Sequence, residues 1–292
     1  MDWMKHRKIY FLISGALIIV GVFALIKWGL NPGIDFRGGT IAEYHFNEGI
    51  STEEITRSLE EEGIQVFSVQ DTGEGKYLFR LPALGSQDQE KIKRIFQEST
   101  EGSDSEELRF ETVGPSVGPE LVRKTIYAAA IASLAILLWV AFQFKSLKFG
   151  VSAILAMFHD SLCLVGVFAI FGHYFEVEVD FLFVTALLTT LSFSVHDTIV
   201  VYDRIRETQS KLGGGLYDIA NRAVTETMVR SLNNSFTIIF MLIALVLLGG
   251  ETVKWFAAAL FVGTVLGTYS SPFVAVPLVV FWDEVEKKIR FR

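Results

Sequence analysis

The chain has 292 residues, 51% of them apolar and 25 of them phenylalanine, with a formal net charge of −7. A soluble domain reaches about 45–50% apolar only with glycine counted, so the excess here, gathered in long runs, marks a membrane protein. The negative charge is local: residues 29–122 hold 8 Lys+Arg against 19 Asp+Glu, and the rest holds 18 against 14. An acidic domain is set in a mildly basic membrane frame, which excludes the basic surface that nucleic acid requires. The single cysteine, Cys163, lies within an apolar run and has no internal disulfide partner.

In chain order, Lys5, His6, Arg7 and Lys8 precede the first apolar run, 9–26. A secretory leader begins in the same way, but this run ends in Lys27, Trp28, Gly29 and Leu30 with no small-residue cleavage pattern, so it reads as an uncleaved helix. Five further runs, 126–142, 149–171, 181–201, 232–248 and 255–281, each approach the roughly 20 helical residues that cross a bilayer. Pro272 and Pro277 interrupt the sixth and are expected to kink, tilt or end it. Gly263, Gly267 and Ser271 recur there at every fourth residue, a packing pattern that lets backbones approach.

Short-loop cations set the orientation. The N-terminus, the 143–148 loop with Lys145 and Lys148, the 202–230 stretch with Arg204, Arg206, Lys211, Arg222 and Arg230, and the tail are all basic. The alternate connections, 173–180 and 249–254, hold no cation and one, respectively. Both termini are therefore expected in the cytoplasm and the acidic domain outside.

That domain reads as two similar halves. Residues 40–46 alternate like a strand, 51–63 follow as a helix, 64–70 and 76–82 are strands about a glycine turn, 86–100 is a second helix, and 107–113 is a last strand. Ser51 and Glu54 have capping-box spacing. The order β-α-β-β-α-β is the ferredoxin-like pattern. The fold class is thus a polytopic α-helical membrane protein with six transmembrane helices and one extracytoplasmic α+β ferredoxin-like domain. Its parts are 1–28, the cytoplasmic N-terminus and first span; 29–122, the outer domain; 123–282, the other five spans; and 283–292, a cytoplasmic tail. Within the cytoplasmic stretch 203–230, Ile219, Ala223, Val224 and Met228 recur at helical spacing, as in an amphipathic helix lying on the membrane surface.

Phosphate loops, dinucleotide fingerprints, zinc-ligand spacings and nucleophile elbows are absent from the sequence, so neither an enzyme nor a cofactor or metal is expected. The informative residues are ionisable groups inside apolar helices, which are costly in lipid and functional by default. Asp197 lies near the end of the fourth run, and Thr190, Ser194 and Asp197 share a helical face. Arg230, at the entry to the fifth run, cannot deprotonate; it can pair with an ionised Asp197 and release a protonated one, or serve as an interfacial anchor. His159 and Asp160 form a second polar pair midway along the third run, either titrating or linking helices. His196 points about 100° away from Asp197, and Asn233 and Asn234 could link helices.

Several blocks together resemble the SecD/SecF family of protein-export membrane proteins: 33–40 (GIDFRGGT), 113–121 (VGPSVGPEL), the His159-Asp160 pair, 192–207 (SFSVHDTIVVYDRIRE) and 227–235 (TMVRSLNNS). That family falls within the resistance-nodulation-division transporter class. The resemblance implies that Asp197 is the intramembrane aspartate of ion movement, that Arg230 works with it, and that Asp35, Phe36, Gly38 and Gly39 join the first helix to the outer domain. It implies transported H⁺ or Na⁺ as coupling ion. The implied partners are SecD, the SecYEG channel, YajC and a translocating unfolded polypeptide, in the lipid of the bacterial cytoplasmic membrane. The sequence departs from the usual pattern at His196, commonly Asn, and Arg37, often Thr. A small-molecule exporter subunit of the same class, and a non-transporting scaffold, are the alternatives.

Overall fold

A computed structural model describes residues 1–46, 51–99, 105–114 and 117–290. The chain divides into two compact units, one of residues 1–31 and 127–292 and one of residues 32–126. Six helices are long and apolar enough to cross a membrane, as the runs predict.

In the outer unit, a one-turn helix α2 (Ile34–Arg37) leads into β1 (Gly39–Phe46), followed by α3 (Thr52–Glu61), β2 (Ser68–Gly73), β3 (Lys76–Leu81), α4 (Ser86–Ser99) and β4 (Ser105–Val113). The antiparallel sheet has the order β2-β3-β1-β4, which is the ferredoxin-like arrangement. Alternation does the sorting: Ala42, Tyr44 and Phe46 of β1 and Phe79 and Leu81 of β3 turn inward onto Ile55 and Leu59 of α3 and Ile92 and Phe96 of α4. Ser51 caps α3 by accepting the Glu54 N–H at 3.3 Å. Burial and the neighbouring Glu107 carboxylate push the Tyr44 hydroxyl well above its usual range, so it remains a donor to Glu107 at 2.8 Å. The second strand begins four residues later than its apolar pattern suggests. Gly63, with φ +82°, ends α3, and Ile64 folds back with its N–H on the Leu59 carbonyl to plug the core.

In the membrane unit, the spans are α1 (Arg7–Trp28), α5 (Val117–Phe144), α6 (Leu147–Phe175), α7 (Phe181–Leu212), α8 (Leu216–Leu248) and a sixth made of α9 (Glu251–Ser270), a π turn (Ser271–Ala275) and α10 (Val276–Arg290). Two sequence expectations are corrected. The amphipathic stretch of 203–230 is not a separate surface helix: residues from Leu216 onward are the first turns of α8 itself, and Ile219, Ala223 and Val224 are buried in the helical core. The apolar face exists, but protein covers it in place of lipid. Nor do the prolines end the sixth span. Pro272 has no N–H to give the preceding turn, and the helix accommodates this by widening into the π turn and running on.

α6, α7 and the sixth span form the inside of the unit, with half or more of each apolar stretch buried, whereas α5 and α8 are largely open. The glycine pattern works as packing. A methyl group at Gly263 would overlap the Thr190 side chain, and one at Gly267 would lie 3.0 Å from Ser194 Cβ. α9 therefore lies against the polar face of α7.

Candidate functional site

That close approach places hydroxyls around two carboxyl groups enclosed between helices. Asp197, on α7, is 5% exposed. Ser231 of α8 lies 2.7 Å from each of its oxygens, and Ser271 of the π turn also faces it. Asp160, on α6, is equally buried. Its Oδ2 accepts from Ser194 of α7 and Ser270 of the sixth span, both at 2.6 Å, and its Oδ1 lies 2.9 Å from His159 Nδ1. Ser271 meets Thr198 at 2.9 Å, and its single hydrogen can go to either the Gly267 carbonyl at 3.1 Å or the Ser194 carbonyl at 3.3 Å. Ser235 continues the polar seam from the Ser231 carbonyl to Thr268.

The structure sorts the sequence candidates. Asp197, Ser194, His159 and Asp160 come together in this seam. Thr190 shares the face but bonds its own helix, at the Leu187 carbonyl, and serves as the surface on which Gly263 packs. His196 is exposed, as its 100° offset predicts. Asn233 and Asn234 lie on the exposed face of α8, and among the described residues neither side chain bonds another helix. Asp35 and Phe36 occupy α2, followed by Gly38 and Gly39 with φ of +77° and +139°. A side chain at Gly118 would overlap the Phe36 carbonyl, so this motif and the start of α5 are in contact. Pro115 and Ser116 of the same block lie outside the described residues.

Among the described residues no hydrogen bond or ion pair joins Arg230 to Asp197. Arg230 is exposed and lines a cavity of about 430 Å³ with Val200, Asp203, Arg204, Glu207 and Glu226; the cavity begins one turn along α7 from Asp197. Its chain neighbour Ser231 holds the carboxyl instead, because successive residues on a helix point about 100° apart. Sequence reasoning missed Ser231, Ser270 and Ser271 as ligands of the carboxyls. A serine in a helix resembles a small packing residue, and Ser271 falls in the glycine register; only the π turn turns two consecutive hydroxyls inward.

Fold and site together define a six-span membrane protein with carboxyl groups enclosed between helices and an α+β domain inserted after the first span. The family model described as "Protein export membrane protein SecD/SecF, C-terminal" matches residues 91–285, and the SecD/SecF GG motif matches residues 23–49. The chain is 43% identical to the protein translocase subunit SecF of Thermobaculum terrenum, covering 97% of this chain and 94% of that one. It is 33% identical to the protein translocase subunit SecDF of Bacillus subtilis, over 98% of this chain and 39% of the relative. The crystal structure of SecDF from Thermus thermophilus, described as a translocon-associated membrane protein, superposes with a TM-score of 0.83 at 33% identity, over 97% of this chain and 39% of that one. The chain belongs to the SecD/SecF family and is a multi-pass membrane protein.

Proposed function

We propose that the chain is an auxiliary subunit of the Sec protein translocase, in which ion entry at Asp197 drives a change of helix packing that helps move exported polypeptides across the cytoplasmic membrane. The observation that carries this reading is a carboxyl group buried between α7 and α8 beside the π turn, whose hydrogen-bond donor among the described residues is the Ser231 hydroxyl. One hydroxyl has a single hydrogen to give, yet both Asp197 oxygens lie at 2.7 Å from Ser231 Oγ. A carboxylic acid completes this arrangement by donating its own proton back; a carboxylate calls for a cation.

Arg230 is that cation. Rotating α8 by one residue step, about 100°, exchanges Ser231 for Arg230 at Asp197. The span portion of α8 is mostly open, but its first turns bury Ile219, Ala223 and Val224 in the core, so the rotation is confined to the segment around Arg230 and Ser231 or is driven by the ion. Ion loss and helix rotation are then the two halves of one switch. One charge moving through 100 mV supplies about 2.3 kcal/mol, whereas driving a two-state element from 1:99 to 99:1 takes about 5.5 kcal/mol. More than one ion per cycle is therefore required unless a concentration gradient adds to the potential.

SecD is the partner that fits. Relatives named SecDF extend well beyond the length matched here, and the open faces of α5 and α8 call for covering helices. SecYEG, YajC and the exported chain follow as partners of the assembled machine, with both termini cytoplasmic as the cation distribution implies. The free edges of the outer sheet, β2 and β4, are where an extended polypeptide can add a strand.

Replacing Asp197 with Asn keeps the hydroxyl contacts and removes the titration. In vesicles with an imposed H⁺ or Na⁺ gradient, Asp197→Asn should lose ion-dependent export stimulation while the complex still assembles. Normal stimulation in that variant rejects the coupling role.

A further inference from the structure

The reading above uses one carboxyl group, yet the more fully ligated one is Asp160, with three donors against its two oxygens. We infer that His159 and Asp160 form a second proton-binding site, and that the Ser270–Ser271 step of the sixth span couples it to Asp197. The inference rests on the ion-coupled reading of Asp197 for its role in export, but not for its existence.

The pair can accept a proton without stranding a polar atom. His159 Nδ1 faces Asp160 Oδ1 at 2.9 Å and Nε2 faces Cys163 Sγ at 3.9 Å. A neutral ring gives Nδ1–H to the carboxylate and accepts the thiol; a cationic ring donates at both ends. Asp160 can change too. Ser270 has a second acceptor, the Gly267 carbonyl at 3.3 Å, so its hydroxyl can leave a protonated Asp160, accept the new proton and remain bonded. The other groups nearby are Tyr269 of the sixth span, whose ring packs beside His159 and whose hydroxyl bonds Tyr10 and Ser14 of α1, and Asp197 further along the seam on α7. Among the described residues, the partners of Asp160 are His159, Ser194 and Ser270.

Coupling follows from a shared acceptor. Ser271 already donates to the Gly267 carbonyl, at 3.1 Å. The Ser271 N–H bonds the same carbonyl, which has two lone pairs, so when the Ser270 hydroxyl commits there it competes with the Ser271 hydroxyl and frees it to turn toward Asp197, the chain neighbour of its partner Thr198. Protonation of Asp160 thus changes the hydrogen bonds available to Asp197, and the reverse holds by linkage. π turns within α-helices are frequent at functional sites, and here the turn begins at Ser271, so that Ser270 bonds Asp160 while Ser271 bonds Thr198, the chain neighbour of Asp197.

The site selects H⁺ over Na⁺. Three donors already bond the Asp160 carboxylate and leave about one of its four lone-pair sites, too few for Na⁺, and a protonated imidazole beside it repels a metal cation. A second proton also meets the need for more than one ion per cycle.

Infrared difference spectra of the full chain reconstituted with its SecD-type partner, stepped in pH, test this directly. Two carboxyl signals are expected, one lost in Asp160→Asn and the other in Asp197→Asn. The surviving Asp197 signal should change midpoint in Asp160→Asn and in Ser270→Ala. Gradient-driven stimulation should fall at least tenfold in Asp160→Asn and should respond to a pH gradient and not to Na⁺. Should Asp160→Asn fail to assemble, His159→Gln and Ser270→Ala carry the test, since each must alter the Asp160 signal. A single carboxyl signal, lost in Asp197→Asn and indifferent to Asp160, His159 and Ser270, overturns the inference. Two signals with undiminished export in Asp197→Asn would reject the coupling reading and leave the second proton site standing.

Discussion

The inner helices and the open ones use the same side chains to opposite ends. On α6, α7 and the sixth span, Asp160, Ser194, Asp197, Ser270 and Ser271 are buried; Ser194 and Ser270 satisfy Asp160, and Ser231, on the buried face of α8, satisfies Asp197. On α8, Arg230, Asn233 and Asn234 form a polar stripe that this chain leaves exposed. Polar groups in the low-dielectric interior must be bonded or they cost stability. The inner set is complete within the chain, and the α8 stripe calls for a partner or a polar path. An internal machine and its coupling surface are thus drawn with one alphabet, and burial distinguishes them.

That contrast can be broken by substitution, with unfolding of the purified chain in mixed micelles as the readout. The largest effect is expected at Phe168, 1% exposed and with its ring centroid 4.4 Å from that of Phe183 of α7 in a tilted pair: Phe168→Ala should cost about 3–5 kcal/mol. Its counterpart on the open helix, Phe240→Ala at 68% exposure, should stay within about 0.5 kcal/mol; equal losses at the two positions would erase the distinction between inner and open helices. Next comes Gly263→Val, which drives a branched side chain into Thr190 and should cost at least about 1–3 kcal/mol. A neutral result there means that α7 and the sixth span do not pack through this glycine.

Smaller is Ser231→Ala, which removes the hydroxyl donor from Asp197 and should cost about 1–3 kcal/mol, the penalty of an unsatisfied buried polar group. The loss should be greater at a pH that ionises Asp197 than at one that protonates it, and a pH-independent loss would show that the contact is only structural. Smallest in the isolated chain are Asn233→Ala and Asn234→Ala, within about 0.5 kcal/mol. Measured in the assembled complex, the same changes should weaken copurification of the partner. No effect in either setting would remove the stripe from the interface.

The outer domain was legible because its strands alternate and its helices are capped: Tyr44, Phe79 and Phe96 fall where period 2 and period 3.6 place them. Its one misplaced edge, the start of β2, came from Ile64, whose apolar side chain suits a strand and a helix plug equally. The six spans were legible from length alone. Asp197, His159 and Asp160 stood out because charge within hydrocarbon is costly.

The linear pattern by itself determined how many helices cross the membrane, which face of α7 is polar, and that small residues on the sixth span permit close packing. Only the tertiary structure decided that Ser231, and not Arg230, meets Asp197, that α8 begins at Leu216 and runs unbroken into its span, and that Pro272 widens a helix where it was expected to break one. Periodicity assigns a residue to a face of its own helix. Which partner it meets depends on the rotation and depth of the neighbouring helix, and those are set by contacts between residues far apart in the chain.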